Sequence, residues 1–307
     1  NLCFTKSNEF MKYWNTILIM LMTAVLMINF PSCRWSGSQQ DQDEENRNVQ
    51  INYTDWSESI AITLLAATVL EEKMGYEVDL KLTDVESIYR ELAEGEADYF
   101  ADAWLPRTHR EYFVRHENNI DTIGRVFRNP QTGLVVPQYS ELRSIPDLRE
   151  KDIPILGIDA GAGIMTNTNE ALAHYGLENE LMVLSDDQMT FQMTDSLRRK
   201  KEVVVTGWEP HWIFNRHKVR FLEDPDQVFP TGDHIYSIAN KNSMEEHPHA
   251  TEFFRRMQLT EKQFNSLIDH VKVATEPRNG VLQWMEKNEY VVNKWVKDLQ
   301  PERLKIM

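Results

Sequence analysis

The sequence predicts an α/β protein of two lobes, each a sheet flanked by helices, joined by two hinge crossings. Three observations lead to this fold class. Strand and helix patterns alternate from Val49 onward, the same alternation restarts after a proline-containing stretch over 134–154, and the segment 246–295 is mostly helical. At 307 residues, the chain is also longer than one core usually supports, which favours two units.

The first unit alternates strands and helices in the order β-α-β-α-β, which predicts a parallel sheet. Its first helix has apolar residues on one face, Asp55 or Ser57 as a possible cap, and Gly75 at its stop. The predicted elements are a strand over 49–54, a helix over 57–74, a strand over 76–82, a helix through Val85, Ile88, Tyr89 and Leu92 that stops near Gly95, and a strand over 97–104.

The second unit repeats this rhythm with strands and helices of similar length. Its predicted elements are a strand over 153–159, a helix over 162–176, a strand over 181–185, a helix over 187–200 and a strand over 202–208. The crossings are expected near Val135 and Ile235. Lobe 1 is therefore predicted to comprise 49–136 plus 234–297, with the helical segment packed back on it, lobe 2 to comprise 137–233, and 298–307 to form a tail.

The residues before Val49 do not fit either lobe. Residues 1–10 precede Met11 and are interpreted as upstream sequence, and 11–32, with an apolar run from Ile17, suit a lipoprotein-type export signal. Cys33 follows a small residue and is the predicted lipid attachment site, although FPSC departs from the usual signal motif. An ordinary signal with an incidental cysteine, or an anchor helix, is the alternative. The polar segment 33–48 is predicted to be a flexible tether.

Charge and motif content exclude several function classes. The formal net charge of -15 repels phosphate backbones, so nucleic acid is not an expected partner. Because no common hydrolase or zinc motif is present, we expect no enzyme activity, no metal and no cofactor. Of the remaining candidates, His247 and His249 are interpreted as a solvated loop, Asp186-Asp187 as a helix start, and Glu44-Glu45 as part of the tether.

Three tryptophans follow predicted strands at the positions where open α/β sheets bind ligands. These are Trp56, Trp104 and Trp208. A cluster of indole rings without a neighbouring basic residue suits a cation that cannot donate hydrogen bonds, such as a quaternary ammonium. A single tryptophan is more often a packing residue, and this is the interpretation for Trp212, Trp284 and Trp295, which lie within helical patterns.

The stretch IDAGAGIMT predicts a second half of the same pocket. Gly161 and Gly163 let the backbone approach a ligand closely, and the helix that begins there presents free N-H groups and the positive end of its dipole. Two glycines in a turn are a weak signal alone. Combined with the aromatic cluster, they point to a small zwitterion with a cationic end and a carboxylate.

Five motifs, YTDWSESIA, ADAWLPRTH, TGLVVPQY, GIDAGAGIM and VVVTGWEPHWIF, together resemble the substrate-binding proteins of glycine betaine ABC importers. The resemblance runs from about Val49 to Trp295. It implies a type II periplasmic-binding-protein-like fold in which the three tryptophans, Trp56, Trp104 and Trp208, enclose a trimethylammonium group. It also implies that the backbone amides of Gly163 and Ile164, together with His109, bind the carboxylate.

The resemblance implies a monomeric, extracytoplasmic receptor that is anchored to a membrane by its lipid and delivers its ligand to an ABC permease with ATPase subunits. The predicted ligand residues are divided between the lobes, so closure of the lobes would complete the site. A sensor module, or a receptor for choline, carnitine or proline betaine, is the alternative. A choline receptor would need an acidic group in the cage, and Asp102, Glu58 and Glu209 are the candidates.

Overall fold

The computed structural model describes residues 47–149 and 151–299, which belong to one compact unit. The predicted signal segment, Cys33, nearly all of the predicted tether and most of the predicted tail lie outside the described residues. Among the described helices, none combines the length and the apolarity needed to span a membrane.

The described strands form two sheets, one in each lobe. The first sheet contains β1 (Asn48–Tyr53), β2 (Glu77–Leu82), β3 (Tyr99–Leu105), β4 (Ile120–Arg128) and β10 (His234–Asn240). The second contains β5 (Gln131–Pro137), β6 (Ile155–Leu156), β7 (Leu181–Met182), β8 (Val204–Glu209) and β9 (Val219–Phe221). The strand orders are β2-β1-β3-β10-β4 and β7-β6-β8-β5-β9.

Helices cover both sheets and form the C-terminal part of lobe 1. They are α1 (Ser57–Met74), α2 (Val85–Glu94), α3 (Arg110–His116), α4 (Gly163–Tyr175), α5 (Asp186–Arg198), α6 (Trp212–Arg216), α7 (Lys241–Glu246), α8 (Pro248–Arg256), α9 (Glu261–Val273), α10 (Pro277–Lys287) and α11 (Glu289–Trp295), with a short 3-10 helix at Ile145–Leu148. α1 ends as predicted, because Gly75 adopts a left-handed conformation with φ 70° that few other residues tolerate.

The C-terminal helices pack back on lobe 1, as the sequence predicts: α9 and α10 contact α1, and α8 contacts β4. Their core includes Trp284 and Trp295, whose rings stack at 6.5 Å between centroids. Both tryptophans are buried, which agrees with their interpretation as packing residues.

Each sheet is mixed, whereas the sequence predicted a parallel sheet. In the first sheet β1 is parallel to β2 and β3, but β10 runs antiparallel to both β3 and β4. In the second sheet β5 runs antiparallel to β8 and β9, while β6 is parallel to its neighbours. In each sheet, the antiparallel strand is the first strand that the chain forms after it crosses from the other lobe.

The first crossing lies earlier than the sequence predicted. Strand β5, which contains Val135, hydrogen-bonds within the second sheet, so the chain changes lobe at Asn129–Pro130 and the boundary at 136 assigns this strand to the wrong lobe. The physical reason is that β5 pairs with β8, about seventy residues later, and no local pattern reports such a pairing. The return strand β10 begins at His234.

Candidate ligand-binding site

All six residues predicted to bind a ligand line one cavity of about 290 Å³ between the two lobes. Lobe 1 contributes Trp56, Trp104 and His109, and lobe 2 contributes Gly163, Ile164 and Trp208. The remaining lining residues are Glu58, Thr108, Thr132, Ile158 and Ala162. The empty space that these residues surround is small, so it suits a small solute.

The three tryptophans reach the cavity because each stands at or just beyond the end of a strand. Trp104 lies near the end of β3, Trp208 lies near the end of β8, and Trp56 immediately precedes α1 after β1. All three are at most 4% exposed. In both lobes a cis X-Pro bond follows the strand tryptophan, at Leu105-Pro106 and Glu209-Pro210.

The indole N-H groups are held differently. Trp56 Nε1 donates to Asp159 Oδ2 at 2.9 Å, across the lobes, and Trp104 Nε1 donates to Asp102 Oδ1 at 3.0 Å. Trp208 Nε1 is buried and makes no hydrogen bond within the described part of the chain. Two of the three rings are therefore fixed through their N-H groups, and all three side chains line the cavity, where they can contact an apolar or cationic group.

The start of α4 forms the opposite side of the cavity. Its N-cap residue, Ala162, has no side-chain oxygen, so the helix begins without a side-chain cap at Gly163 and Ile164. The first N-H groups of a helix lack intrahelical acceptors, and they add to the positive end of its dipole. This side of the cavity therefore favours an anion.

His109 is buried and neutral, with its donor on Nε2. The backbone N-H of Trp104 donates to His109 Nδ1 at 3.2 Å, so Nδ1 carries no proton and the neutral ring bears its hydrogen on Nε2. Burial lowers the pKa of His109 to about 3, which keeps the ring uncharged at neutral pH. His109 can therefore offer the cavity one hydrogen-bond donor without bringing a charge.

The two lobes approach each other closely at Gly163. A Cβ atom placed there would lie 2.4 Å from Thr108 Cγ2 and 2.8 Å from the Thr108 carbonyl oxygen, and Thr108 belongs to the other lobe. Thr108 is itself fixed, because its N-H and its hydroxyl both donate to Asp233 Oδ2, at 3.0 and 2.6 Å. Glycine is required at this position for the lobes to approach.

A buried carboxylate, Asp186, joins the lobes beside the tryptophans. Its Oδ2 accepts from the Ser57 hydroxyl at 2.6 Å and from the Ser57 N-H at 3.2 Å, while His211 Nε2 lies 3.1 Å from its Oδ1. Burial opposes the charge, but His211 and Ser57 outweigh it and lower the pKa of Asp186. Tyr112 adds a further contact between the lobes through its hydroxyl, which donates to the Gly161 carbonyl at 2.8 Å.

Two other carboxyls lie at the tryptophan end of the site. Glu58 lines the cavity and is 1% exposed, and Asp102, which is fully buried, holds the Trp104 indole. Burial, and then the nearby Asp102 carboxyl, raise the pKa of Glu58 well above its ordinary value. Burial likewise raises the pKa of Asp102, against the opposing effect of hydrogen bonds from Trp104 and Ser59. Two buried carboxyls that act on each other favour a state in which at least one of them is protonated.

The structure groups no histidines, cysteines or carboxylates into a metal site within 47–149 and 151–299. His247 differs from its predicted place in a solvated loop, because it is 2% exposed at the junction of α7 and α8. His249 is exposed, but it lies in α8 rather than in the predicted loop. Trp212 stacks on His211 and does not line the cavity, which agrees with its interpretation as a packing residue.

Sequence patterns missed the residues that join the lobes. Asp186 was interpreted as a helix start, and it does lie in the first turn of α5, but the same side chain bonds Ser57 in the other lobe. Thr108 was also missed, and its place directly before His109 was the available signal. Glu58 was named among the acidic candidates for the cage, but its place in the cavity could not be predicted.

Comparison with known proteins identifies the family. Residues 47–287 match the family model for the substrate binding domain of the ABC-type glycine betaine transport system. The glycine betaine/carnitine transport binding protein GbuC of Listeria monocytogenes is 33% identical over 153 residues, which cover 48% of this chain and 51% of GbuC. The chain thus aligns with about half the length of this curated relative.

Solved structures agree in fold. Lactococcal OpuAC, in its closed-liganded conformation complexed with glycine betaine, superposes with a TM-score of 0.78 at 28% identity, covering 82% of this chain and all of that one. The glycine/betaine/L-proline-binding protein ProX of Borrelia burgdorferi gives 0.76 at 28% identity, covering 84% and 98%. A choline binding protein in complex with choline gives 0.77 at 20% identity, covering 85% and 95%, and shows only the shared fold.

These similarities confirm the predicted two-lobed fold class and the resemblance that the five motifs carry. The family is one of transport proteins rather than enzymes. The chain belongs to the family of substrate-binding domains of ABC-type glycine betaine transport systems.

Proposed function

We propose that this chain is an extracytoplasmic solute-binding protein that captures glycine betaine, or a closely related quaternary-ammonium zwitterion, by closure of its lobes and delivers it to an ABC importer permease. One observation carries the proposal. A single small cavity is lined by three tryptophans at one side and by the uncapped start of a helix at the other.

The proposed ligand contacts follow the polarity of the cavity. Trp56, Trp104 and Trp208 hold the trimethylammonium group, since each ring face contributes roughly 0.5–2 kcal/mol to a desolvated cation. The N-H groups of Gly163 and Ile164 bind the carboxylate, and His109 donates its Nε2-H to the same group. Because these contacts come from both lobes, the ligand favours the closed arrangement by its differential affinity.

The test is a calorimetric titration of the purified 47–307 chain with glycine betaine, proline betaine, choline and unmethylated glycine in parallel. We expect binding of both betaines and none of glycine, because ammonium groups that keep their hydration gain little from an aromatic cage. The absence of binding by either betaine would refute the proposal.

The cage itself is tested by substitution. Trp104→Ala and Trp208→Ala should each weaken betaine binding about ten-fold or more, since about 1.4 kcal/mol is one decade of affinity. Trp212→Phe is the matched control, because Trp212 lies beside His211 but outside the cavity. Wild-type affinity in both alanine variants would remove the tryptophans from the assigned role.

A second candidate function is binding of choline or carnitine in the same cavity. Glu58 favours it, because this carboxyl lines the cage and, when ionised, would attract a ligand that has no carboxylate of its own. The same titration decides, since a choline receptor would bind choline more tightly than glycine betaine.

Membrane attachment is the remaining part of the proposal. We propose that Cys33 carries the lipid, on the basis of its place directly after the apolar run of the signal-like segment. Mass spectrometry of the membrane-bound protein should find an N-terminal lipidated Cys33, and Cys33→Ser should release the protein from membranes. A Cys33→Ser protein that stays membrane-bound would contradict a lipid anchor there.

A further inference from the structure

We propose that Glu58 is a specificity-determining group of the ligand site, which is protonated in the ligand-free protein and releases its proton to solvent when a quaternary ammonium binds. This inference rests on the proposed function and deepens it. It means that binding of the cation releases a proton, so the relative affinities for choline and betaine depend on pH.

The geometry places an unpaired carboxyl at the cage. Glu58 lies on the first turn of α1, two residues beyond Trp56, and it lines the cavity together with all three tryptophans. Its Oε2 is buried and has no hydrogen-bond partner in the described part of the chain, and the same is true of Asp102 Oδ2. A buried carboxylate that is left unpaired is costly, so each group must be either protonated or matched by a cation.

The charges around Glu58 favour the protonated state. Asp102 on β3 and Asp186 on α5 are the two charges that act most strongly on it, and both are carboxylates. His211 is engaged by Asp186, with 3.1 Å between His211 Nε2 and Asp186 Oδ1, so it is not available to pair with Glu58.

The elements on the remaining sides bring no positive charge. On β8, Trp208 is an uncharged indole whose lowering effect on the pKa of Glu58 is smaller than the raising effects of burial and of Asp102. His109, at the start of α3, is neutral, and Tyr89 on α2 is a buried phenol whose pKa is also raised by burial.

A trimethylammonium group in the cage would change this balance. It would be a desolvated cation in a cavity that Glu58 lines, and an opposite charge within about 4–6 Å favours the ionised carboxyl by roughly 1–3 pKa units. By linkage, the ligand then binds the ionised form more tightly, so affinity rises with pH, at most ten-fold per pH unit for one proton released.

The two ligand classes should respond differently. Choline presents only the cation to Glu58, whereas glycine betaine also brings a carboxylate that the ionised Glu58 repels. We therefore expect the affinity for choline to rise by about ten-fold or more from pH 5 to pH 9, and the affinity for betaine to rise less. A proton taken up by His109 on contact with the betaine carboxylate would offset the proton released by Glu58. Choline has no carboxylate, so its binding reports the proton of Glu58 without this offset.

The experiment is calorimetric titration of the 47–307 chain with choline and with glycine betaine, from pH 5 to pH 9. At each pH, two buffers of different ionisation enthalpy give the number of protons released. We expect release of up to one proton with choline in wild type, and none in Glu58→Gln. Glu209→Gln is the matched control, because Glu209 follows Trp208 and burial raises its pKa, yet it lies outside the cavity.

The outcomes separate this inference from the proposed function. Ligand binding without proton release at any pH would overturn the role of Glu58 and leave the receptor function intact. Proton release that persists in Glu58→Gln would assign the proton to another group and overturn it equally. Failure of both ligands to bind at every pH would instead refute the proposed function. The wild-type buffer dependence is decisive even if the variant does not fold.

Discussion

Gly163→Ala should separate closure of the lobes from folding of each lobe. The added methyl would lie 2.4 Å from Thr108 Cγ2 and 2.8 Å from the Thr108 carbonyl oxygen. Thr108 cannot easily retreat, because the buried Asp233 carboxylate holds its N-H, its hydroxyl and the N-H of Arg107. The overlap is therefore relieved only by moving the lobes apart.

Overpacking of this kind costs about 1–3 kcal/mol. If the closed state bears the whole cost, betaine binding weakens by about 5- to 150-fold. The ligand-free protein should lose no stability, since alanine is the better residue in the first turn of a helix and the lobes are free to open. Calorimetry with glycine betaine measures the first effect, and urea unfolding without ligand measures the second.

Gly161→Ala is the matched control in the same turn, because its Cβ would meet nothing closer than Asp159 Oδ1 at 3.7 Å. Its betaine affinity should stay within about two-fold of wild type. An affinity of Gly163→Ala within two-fold of wild type would refute the reasoning, as would a fall in its ligand-free stability that matches the loss of binding.

Two further predictions concern buried polar groups. Ser57→Ala removes a hydroxyl that donates across the lobes to a charged Asp186, so betaine binding should weaken by about ten-fold or more. The control, Asp187→Asn, removes an exposed ion pair with Lys272 and should change betaine binding little. Equal effects of the two variants in calorimetry would count against the Ser57 contact. His109 has a pKa of about 3 in the folded protein and about 6.5 when unfolded, so below pH 6.5 the unfolded chain binds a proton that the folded chain does not, and the free energy of unfolding should fall by about 1.4 kcal/mol per pH unit from this group. Urea unfolding at pH 7 and pH 5 should show a smaller fall in the free energy of unfolding for His109→Gln than for wild type. Equal falls in the two proteins would contradict a neutral buried histidine.

Local patterns predicted the elements that depend on local interactions. Helix α1 begins and ends where the sequence predicts, because its apolar spacing and the left-handed Gly75 are both properties of neighbouring residues. Helix α3 was missed, since it has only seven residues and buries none of them fully, so its apolar pattern is too short to detect. The lobe of β5 was assigned wrongly because its partner, β8, lies far away in sequence.

The candidate site, too, has some features that local sequence predicts and others that it does not. The positions of Trp56, Trp104 and Trp208 at the ends of strands follow from the order of strands and helices, so the sequence could predict that they meet. The unpaired state of Glu58 could not be predicted, because it depends on burial by both lobes at once. The motif that contains Glu58 predicts that this residue lies near Trp56, but it does not predict that its Oε2 is buried without a hydrogen-bond partner.

The contacts between the lobes explain how closure can be sensitive to a small ligand. The hydrogen bonds from Ser57 to Asp186, from Trp56 to Asp159 and from Tyr112 to Gly161 all replace bonds that the same groups would make to water in an open form. Such exchanges contribute only about 0.5–1.5 kcal/mol each, and somewhat more for charged groups. Under the proposed function, they must also offset the entropy of ordering the two lobes.

Under the proposed function, a ligand then decides the balance through contacts that exist only when the lobes meet. Trp56 illustrates the coupling, because one side chain both lines the cavity and donates to Asp159 in the other lobe. Ser57, the next residue, binds Asp186. Since the cage and the contacts between the lobes are built from adjacent residues, filling the cage and closing the protein become a single event, and a permease that recognises the closed form would respond to the loaded protein.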